Sequence, residues 1–290
     1  MKTTTLSSCS WGVEIHDQQI GRMTDQDLLH LGKLVLENQV VLLRNQQLTA
    51  EQEVHACYKI GDVERVTAFQ RCPQNSSGDF IAEIQRVTGM KHTDGTAMGL
   101  FGHDHDLDWH ANRPSAEMER KPLIWLRSVF GTKGTRTSWA NCTRAYHDLP
   151  PDLQYELTAL DGIFGFEPNS YTTWNEWKPH RNMQGIKIVR SVPGLAEKVL
   201  FFPFLQLFGF KNKTEAEFQK IYQLLKSHIL QDKYIYHHDW QDGDVLISEQ
   251  WGTIHKRWEC DVSHRMLHRI SFGWDNLIGA SEKKTKERFL

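Results

Sequence analysis

The chain has 290 residues, of which 39% are hydrophobic and 24% charged, and its formal net charge is −2. This length and composition are ordinary for one large all-β or mixed globular domain, and no repeat or linker is evident, so we expect a single domain over residues 1–290. A nearly neutral chain offers no bulk electrostatic attraction for nucleic acid or a membrane surface, so neither partner is expected. A homo-oligomer remains open.

The spacing of the cysteines and the N-terminal residues indicate the cellular compartment. The five cysteines form no Cys-x-x-Cys pair, and they are Cys9, Cys57, Cys72, Cys142 and Cys260. An odd, scattered set fits reduced thiols better than a disulfide framework. Residues 1–12 lack the apolar core of a signal peptide, and the longest apolar runs are too short to span a bilayer. These features predict a cytoplasmic protein.

The first part of the chain predicts a helix, a strand and a second helix. Thr24 with Asp27, and Thr49 with Gln52, have the capping-box spacing that begins a helix. The apolar residues 39–43 between the two helices predict a short buried strand.

The rest of the chain predicts many short strands with turn signals between them and a few helices. Strands are expected at residues 81–87, 122–130, 186–191, 198–202, 234–240, 245–248 and 265–274. Helices are expected at residues 141–146, 150–160 and 214–230. This pattern favours an α+β chain with a mainly β core, built as a β-sandwich or jelly roll with flanking helices. No Gly-x-Gly-x-x-Gly motif or regular strand–helix alternation supports a dinucleotide-binding fold.

A set of distant polar residues suggests a metal site. His110 and Asn112 have the two-residue spacing that places side chains on one face of a strand. His255 supplies a second imidazole, and Arg265 follows ten residues later. Fe(II) in oxygenases is held by two imidazoles and usually one carboxylate, which leaves positions open for a cosubstrate and O₂. The planar fork of an arginine suits a carboxylate. We therefore expect Fe(II) at His110, Asn112 and His255, with Arg265 on the far carboxylate of 2-oxoglutarate.

Over most of its length the chain resembles the taurine dioxygenase and 2,4-dichlorophenoxyacetate dioxygenase family of Fe(II)/2-oxoglutarate oxygenases. The segment WHAN at residues 109–112 stands where that family has WHxD. The segment QDGDV at residues 241–245 resembles the family's turn before the strand of the distal histidine. The C-terminal pattern is the most specific part of the resemblance.

The resemblance implies a role for each matching residue. His110, His255 and Arg265 are implied as the catalytic set, with His255 as the distal iron ligand. Thr137, which lies 27 residues after His110, matches a threonine that contacts the carboxylate of 2-oxoglutarate. Arg269 matches a second arginine near the substrate, so it is expected to hold the substrate, 2-oxoglutarate or a local acid.

The resemblance also implies the fold and the reaction. The fold is expected to be a jelly roll, or double-stranded β-helix. The activity is expected to be oxidation, by hydroxylation, of an unactivated C–H bond in a small anionic or amino-acid-like substrate. The reaction consumes O₂ and 2-oxoglutarate and releases succinate and CO₂. The loops at residues 66–108 and 165–183 are expected to form the pocket walls, because loops on a scaffold carry specificity.

One departure from the family pattern leaves alternatives open. The family's aspartate is Asn112 here, which has nearly the same shape but no charge. Ligation by Asn112 and a hydrogen-bonding role beside the metal are both open, and so is water or an anion at that position. A halogenase-like variant is a further alternative, but halogenases have Gly or Ala at this position, and Asn does not vacate that volume. A non-catalytic jelly roll that binds a ligand is the alternative from another class.

Other conspicuous residues are interpreted without a role in the chemistry. The His- and Asp-rich residues 103–106 are expected to be a solvated loop, because no distal partner completes a metal site there. Trp174 and Trp177 are interpreted either as a substrate lid or as packing residues of their loop. Cys260 is assigned no function.

Overall fold

The structure is a computed structural model that describes residues 1–6, 10–112, 121–165 and 181–278, with the backbone but not the side chains of residues 181–184. The strands within these ranges are β1 (Lys2–Thr5), β2 (Val13–His16), β3 (Val40–Leu43), β4 (Gln85–Val87), β5 (Leu107–His110), β6 (Leu123–Phe130), β7 (Arg136–Asn141), β8 (Asp161–Gly165), β9 (Arg181–Lys187), β10 (Val189–Ser191), β11 (Lys198–Leu200), β12 (Leu207–Phe210), β13 (Ile235–Asp239), β14 (Val245–Glu249), β15 (Thr253–Arg257) and β16 (Met266–Phe272). The helices are α1 (Asp25–Asn38), α2 (Ala50–Ile60), α3 (Cys142–His147), α4 (Pro151–Thr158) and α5 (Glu215–Ile229). Short 3-10 turns lie at Ile20–Arg22, Phe69–Arg71 and Asp232–Tyr234.

The two N-terminal helices begin at the predicted capping boxes. The Thr24 hydroxyl accepts a hydrogen bond from the Asp27 N–H, and the Asp27 carboxylate accepts one from the Thr24 N–H in return. Thr49 and Gln52 make the same reciprocal pair at the start of α2. These contacts satisfy N–H groups that the first helical turn leaves without a partner, so local sequence fixes where both helices start.

Two antiparallel-rich sheets dominate the architecture. The larger has the strand order β1-β2-β3-β14-β6-β16-β4, and the smaller has the order β13-β7-β15-β5. Among the strand pairs of the larger sheet that the structure describes, β2–β3 is parallel and the others are antiparallel. Two further small sheets pair β10 with β11 and place β8 between β12 and β9. The chain is therefore a mixed α+β protein, rich in strands and with few helices.

The two main sheets face each other. Trp139 and Tyr236 of the smaller sheet pack in one buried cluster with Leu42, Leu246 and Leu267 of the larger sheet. On the outer side of the larger sheet, alternate strand residues pack in a second cluster that includes buried residues of α1 and α2. Strand side chains alternate between faces, so each strand of the larger sheet contributes to both clusters.

The structure differs from the sequence-based elements in a few places. The predicted strand at residues 81–87 is a strand only over Gln85–Val87, because the Ile84 N–H bonds to the Ile81 carbonyl and forms a turn there. The predicted hairpin is present as β10 paired with β11, whereas residues 181–187 form β9 and pair with β8 instead. Strands β1, β2, β8 and β12 were not predicted.

The helices of the described residues give no candidate for a membrane span. The longest of them, α5, has 15 residues and carries charged side chains along its length. No helix in the part of the chain that the structure describes is long and apolar enough to cross a bilayer.

Candidate active site

Two imidazoles far apart in the sequence meet in the smaller sheet. His110 is the last residue of β5 and His255 is the middle residue of β15, and they are direct partners in the antiparallel register. Their ring centroids lie 4.1 Å apart with an interplanar angle of 50°. Both side chains are buried. The sheet therefore places two nitrogen donors side by side at one point of its inner face.

Both imidazoles are in the form that binds a metal. The Nδ1 of His110 lies 2.7 Å from the carbonyl oxygen of Asp108. A carbonyl only accepts, so Nδ1 carries the proton and Nε2 keeps a lone pair for a metal. Burial lowers the pKa of His110 to about 4. Burial, reinforced by His110 and Arg269, also lowers the pKa of His255 well below its usual range. Both rings are therefore neutral near neutral pH.

Asn112 lies just beyond the end of β5. There the backbone forms hydrogen bonds with two glutamine side chains instead of with a neighbouring strand. The side chain of Gln206 accepts from the Ala111 N–H at 3.0 Å and donates to the Ala111 carbonyl at 2.7 Å. The side chain of Gln250 accepts from the Asn112 N–H at 2.5 Å. The Asn112 side-chain oxygen accepts from Nη1 of Arg269 at 3.3 Å. The backbone of the predicted third ligand is thus fixed, and its amide faces a guanidinium.

No carboxylate completes the histidine pair. The described residues contain no group of three or more His, Cys, Asp or Glu side chains that could hold a metal ion. The carboxylate of Asp108 points to Lys256 at 3.5 Å. Two neutral imidazoles fit a non-haem iron centre, while the third protein position has only a neutral amide near it.

Arg265 is a buried cation with few partners. It precedes β16, is 2% exposed, and donates from Nη1 to the Thr135 hydroxyl at 3.3 Å. Its Nε has no acceptor and the side chain makes no ion pair within the described residues. Burial lowers the pKa of this guanidinium. A buried charge without a counter-ion is unfavourable, so the arrangement favours an anionic ligand at this point.

Thr137 of β7 is oriented by a tryptophan. The indole N–H of Trp240 donates to the Thr137 hydroxyl oxygen at 2.9 Å. An indole N–H can only donate, so the Thr137 hydroxyl keeps its own proton for another acceptor. Thr137 and Arg265 both line the pocket that contains the histidine pair. Together they present hydrogen-bond donors to a carboxylate.

One pocket between the two main sheets contains all of these groups. Its cavity volume is about 50 Å³, and it opens to solvent. The predicted residues His110, Asn112, Thr137, His255, Arg265 and Arg269 all line it. The apolar part of its wall consists of Val87, Phe101, Leu107, Leu126 and Leu267. Such a pocket suits a small ligand with an apolar body and an anionic end.

Sequence reasoning missed Arg257, which also lines the pocket. Its guanidinium donates to the carbonyl oxygens of Phe101 and His103 at 2.8 and 2.6 Å. It thereby holds the loop at residues 101–106 against β15. Arg257 lies two residues after His255, so the period of two in a strand could have placed it on the same face. The glutamines at positions 206 and 250 have no comparable signal.

The His- and Asp-rich residues 103–106 serve as an anchor for another loop. The carboxylate of Asp104 accepts from the Val262 N–H at 3.1 Å, and that of Asp106 accepts from the Glu259 N–H at 2.6 Å. These contacts fix the loop between β15 and β16. Val87 and Phe101, from the loop region predicted to form a pocket wall, do line the pocket. Trp174 and Trp177, with most of the second predicted wall, lie outside the described residues.

Comparison with known proteins gives a family match and several relatives. The model of the family described as Taurine catabolism dioxygenase TauD, TfdA family matches residues 3–271. The chain is 23% identical over 239 residues to an alpha-ketoglutarate-dependent 2,4-dichlorophenoxyacetate dioxygenase of Burkholderia sp. (strain RASC), covering 78% of each chain. It is 20% identical over 270 residues to an (S)-phenoxypropionate/alpha-ketoglutarate-dioxygenase of Sphingobium herbicidovorans, covering 89% of this chain and 90% of the relative.

Solved structures share the fold. A taurine dioxygenase from Burkholderia xenovorans superimposes with a TM-score of 0.71 at 21% identity, covering 93% of this chain and 88% of that one. AAD-2, crystallised in complex with Mn(II) and N-oxalylglycine, superimposes with a TM-score of 0.73 at 16% identity, covering 94% and 97%. At these identities the likeness is one of fold.

Proposed function

The chain belongs to the TauD, TfdA family, and we propose that it hydroxylates an unactivated C–H bond of a small anionic or amino-acid-like substrate. As a member of this family it is a 2-oxoglutarate-dependent non-haem iron dioxygenase, with Fe(II) and 2-oxoglutarate as cofactors. The proposed reaction consumes O₂ and releases succinate and CO₂. The observation that carries the proposal is the meeting of His110 and His255 beside Arg265 in one pocket.

In this proposal the histidine pair holds the iron. Bound iron supplies the activation of O₂ that attack on a C–H bond requires. His110 offers Nε2 because its Nδ1 proton is bonded to the Asp108 carbonyl. His255 stands opposite it in the same sheet. Asn112 lines the same pocket, and we propose it at the third position, either as a ligand or as a hydrogen-bonding group beside the metal.

Arg265 and Thr137 hold the distal carboxylate of 2-oxoglutarate in this proposal. The Nε of Arg265 is buried without an acceptor, and the Thr137 hydroxyl has a proton to donate. A carboxylate between them would satisfy both groups and neutralise the buried guanidinium. Such charge-assisted hydrogen bonds position the cosubstrate beside the histidine pair.

The substrate is proposed to be an organic acid with an apolar body. Arg269 lines the pocket next to Asn112 and can pair with a carboxylate or sulfonate, either of the substrate or of 2-oxoglutarate. The apolar wall that includes Phe101 and Leu126 excludes water from the reacting carbon. The names of two relatives, dioxygenases of 2,4-dichlorophenoxyacetate and of (S)-phenoxypropionate, support an acid of this kind.

The remaining predictions are part of the same proposal. Two facing sheets around the pocket support a jelly roll, or double-stranded β-helix. We propose one such domain over residues 1–290. The scattered cysteines, of which Cys57, Cys72 and Cys142 are buried free thiols, support a cytoplasmic location.

The test is a substrate screen that measures two products. The purified chain, with Fe(II) and 2-oxoglutarate, is incubated with aryloxyacetates, short alkyl sulfonates and amino acids. We expect at least one of them to yield succinate in equal amount to a hydroxylated product or to its fragments, a phenol and glyoxylate from an aryloxyacetate or an aldehyde and sulfite from a sulfonate. His255→Ala is the control for iron-independent background. Binding of 2-oxoglutarate without succinate above this background would support a non-catalytic ligand-binding protein.

The halogenase-like alternative has one observation in its favour, the neutral side chain at Asn112. The same incubations in chloride, with mass analysis of the product, test it. Hydroxylated product alone supports the proposal. Chlorinated product would replace it with the alternative.

A further inference from the structure

We propose that the metal site of this chain is completed by a small exchangeable monoanion that is seated between the metal and the amide of Asn112, and that the Asn112 oxygen is not a metal ligand. This inference rests on the proposed metal site at His110 and His255. It differs from the expectation that the Asn112 side chain itself binds the metal, and it takes up the alternative, left open by the sequence, of an anion at that position.

The first argument is that the one oxygen of Asn112 is directed at a guanidinium. Its Oδ1 accepts from Nη1 of Arg269 at 3.3 Å. Arg269 is 8% exposed, and its Nη2 donates to the side-chain oxygen of Gln85. An aspartate has two oxygens, so it could give one to a metal and the other to the guanidinium. An asparagine with its oxygen turned to Arg269 presents its NH₂ group on the other side.

The second argument concerns what an amide NH₂ can bind. It donates two hydrogen bonds and has no lone pair for a metal. Among the described residues, Nδ2 of Asn112 has no hydrogen-bond acceptor, and the side chain lines the same pocket as the two imidazoles. A metal-bound anion at the position of the missing carboxylate would accept from this group.

The third argument is the charge of the donor set. Two neutral imidazoles and a neutral amide leave the charge of a divalent metal uncompensated by the described protein residues. The guanidinium groups of Arg257, Arg265 and Arg269 line the same pocket and add positive potential. A pocket of one sign of charge with low-dielectric walls concentrates counter-ions. The two carboxylates of 2-oxoglutarate would offset Arg265 and one charge of the metal, so one positive charge would remain at the metal for a monoanion to balance.

The fourth argument is that turning the Asn112 oxygen towards the metal would be unfavourable. The backbone N–H of Asn112 and both backbone groups of Ala111 are held by the buried side chains of Gln250 and Gln206. These hydrogen bonds therefore oppose a shift of the segment that would bring the amide oxygen closer to the metal. A side-chain rotation that turned Oδ1 to the metal would instead face the NH₂ group towards the Arg269 guanidinium, donor against donor.

The test measures metal affinity as a function of the anion. The full-length chain, with N-oxalylglycine present, is titrated with Co(II) at equal ionic strength in bromide, in formate or in perchlorate, which coordinates poorly. We expect Co(II) to bind at least about tenfold more tightly in bromide or formate than in perchlorate. X-ray absorption in bromide is expected to find a bromine neighbour of cobalt. Tighter binding in formate than in bromide would identify a carboxylate as the better occupant, and the reverse order a halide.

Two substitutions at the same position separate the alternatives. Asn112→Asp supplies a carboxylate, so it should bind Co(II) tightly in every salt and lose the anion response. Asn112→Ala removes a hydrogen bond to the anion but no metal ligand under the proposal, so its Co(II) affinity in perchlorate, where no anion is seated, should stay within about threefold of the unsubstituted chain. Asn212→Asp, at an exposed position, makes the same charge change and should leave the anion response intact.

The contradicting results are distinct from a failure of the proposed function. Equal Co(II) affinity in all three salts, with no bromine neighbour, would overturn the anion seat alone. So would an about tenfold or larger loss of Co(II) affinity of Asn112→Ala in perchlorate, because with no anion seated such a loss would make the amide oxygen a ligand. Absence of Co(II) binding in every salt would overturn the histidine metal site itself, and the proposed function with it.

Discussion

The two faces of the larger sheet differ in how their cationic side chains are paired. On the outer face, the fully buried carboxylate of Glu53 accepts from Nη1 of Arg127 at 2.6 Å and lies 2.8 Å from Nδ1 of His268. It also accepts from the indole N–H of Trp125 at 3.1 Å. On the inner face, Arg265 is buried like Glu53, but it has only a neutral hydroxyl as a partner within the described residues.

The difference separates a structural charge from a ligand-binding one. The outer cluster brings its own counter-ion, so it is complete without any ligand and stabilises the fold when intact. The inner guanidinium is left with unfilled donors, so it can gain its counter-ion only from outside. The arginines on the two faces of this sheet therefore differ in role. Arg127 has a carboxylate of the protein beside it, whereas Arg265 has none within the described residues.

The largest effect is expected from removing the outer carboxylate. Glu53→Gln keeps the shape of the side chain but leaves the partly buried Arg127 without a counter-charge. We expect the free energy of unfolding to fall by about 3–5 kcal/mol, measured by urea denaturation. Asp25→Asn, which breaks the exposed pair with Lys59, should cost far less, because solvent screens that pair. A similar small loss for both variants would mean that the outer cluster is not a structural ion pair.

The inner guanidinium should show the opposite behaviour. Arg265→Gln removes the proposed carboxylate partner, so we expect the affinity for N-oxalylglycine to fall by about 100-fold, or roughly 3 kcal/mol, by calorimetry. The unfolding free energy should change little, because an unpaired buried charge is removed. Arg127→Gln is the matched control on the outer face, and it should lose stability while it retains ligand affinity. Loss of stability without loss of affinity in Arg265→Gln would make Arg265 structural.

Glu249 is a buried carboxyl group that, unlike Glu53, has no ion pair within the described residues. Its partners are the backbone N–H groups of Trp251 and Gly252, and burial raises its pKa to about 7. The unfolded chain loses this proton near the ordinary value of 4.5, well before the folded chain does. Folding stability from this group should therefore fall as the pH rises from about 4.5 to 7, by up to about 3 kcal/mol, and stay level above that.

The measurement is denaturation of Glu249→Gln and the unsubstituted chain near pH 5 and near pH 8. Glutamine does not titrate, so the variant should gain relative stability as the pH rises through this window. Glu156→Gln, at an exposed position on α4, is the control and should show no such trend. A stability difference that is the same at both pH values would contradict the raised pKa.

The smallest effect is expected at the tryptophan that orients Thr137. Trp240→Phe removes the indole donor, so the hydroxyl is no longer fixed as a donor to the cosubstrate. We expect the affinity for N-oxalylglycine to fall about fivefold, equivalent to about 1 kcal/mol, with metal affinity unchanged. In a Thr137→Val background the same substitution should have little further effect. A full additional loss in the double variant would show that Trp240 acts through packing alone.

The sequence predicts the locally coded parts of the fold well. Helices α1 and α2 start at capping boxes whose partners are three residues apart, so the signal is complete within one turn. Strand β1 was missed because its four residues are all exposed and carry no apolar alternation. The turn inside the predicted strand at 81–87 depends on tertiary packing, which places the apolar Ile84 in the core without a strand partner.

In the site, too, the sequence predicts some residues but not the long-range contacts. Spacing and the family resemblance pointed to His110, His255 and Arg265, and the structure places all three in one pocket. The contacts that distinguish this chain from the usual pattern are long-range. Gln206 reaches the backbone of Ala111 across 95 residues. No local pattern encodes such pairings, because any glutamine elsewhere in the chain has the same sequence appearance.

The most direct test of the histidine pair is the visible charge-transfer band of the Fe(II)–2-oxoglutarate chelate, measured without oxygen. We expect a weak band in the unsubstituted chain, and its loss in His110→Ala and in His255→Ala at the same iron and 2-oxoglutarate concentrations. Glu215→Gln, an exposed change at the start of α5, should leave the band intact. No band at saturating ligand, or a full band in His255→Ala, would contradict a shared iron site at these two residues.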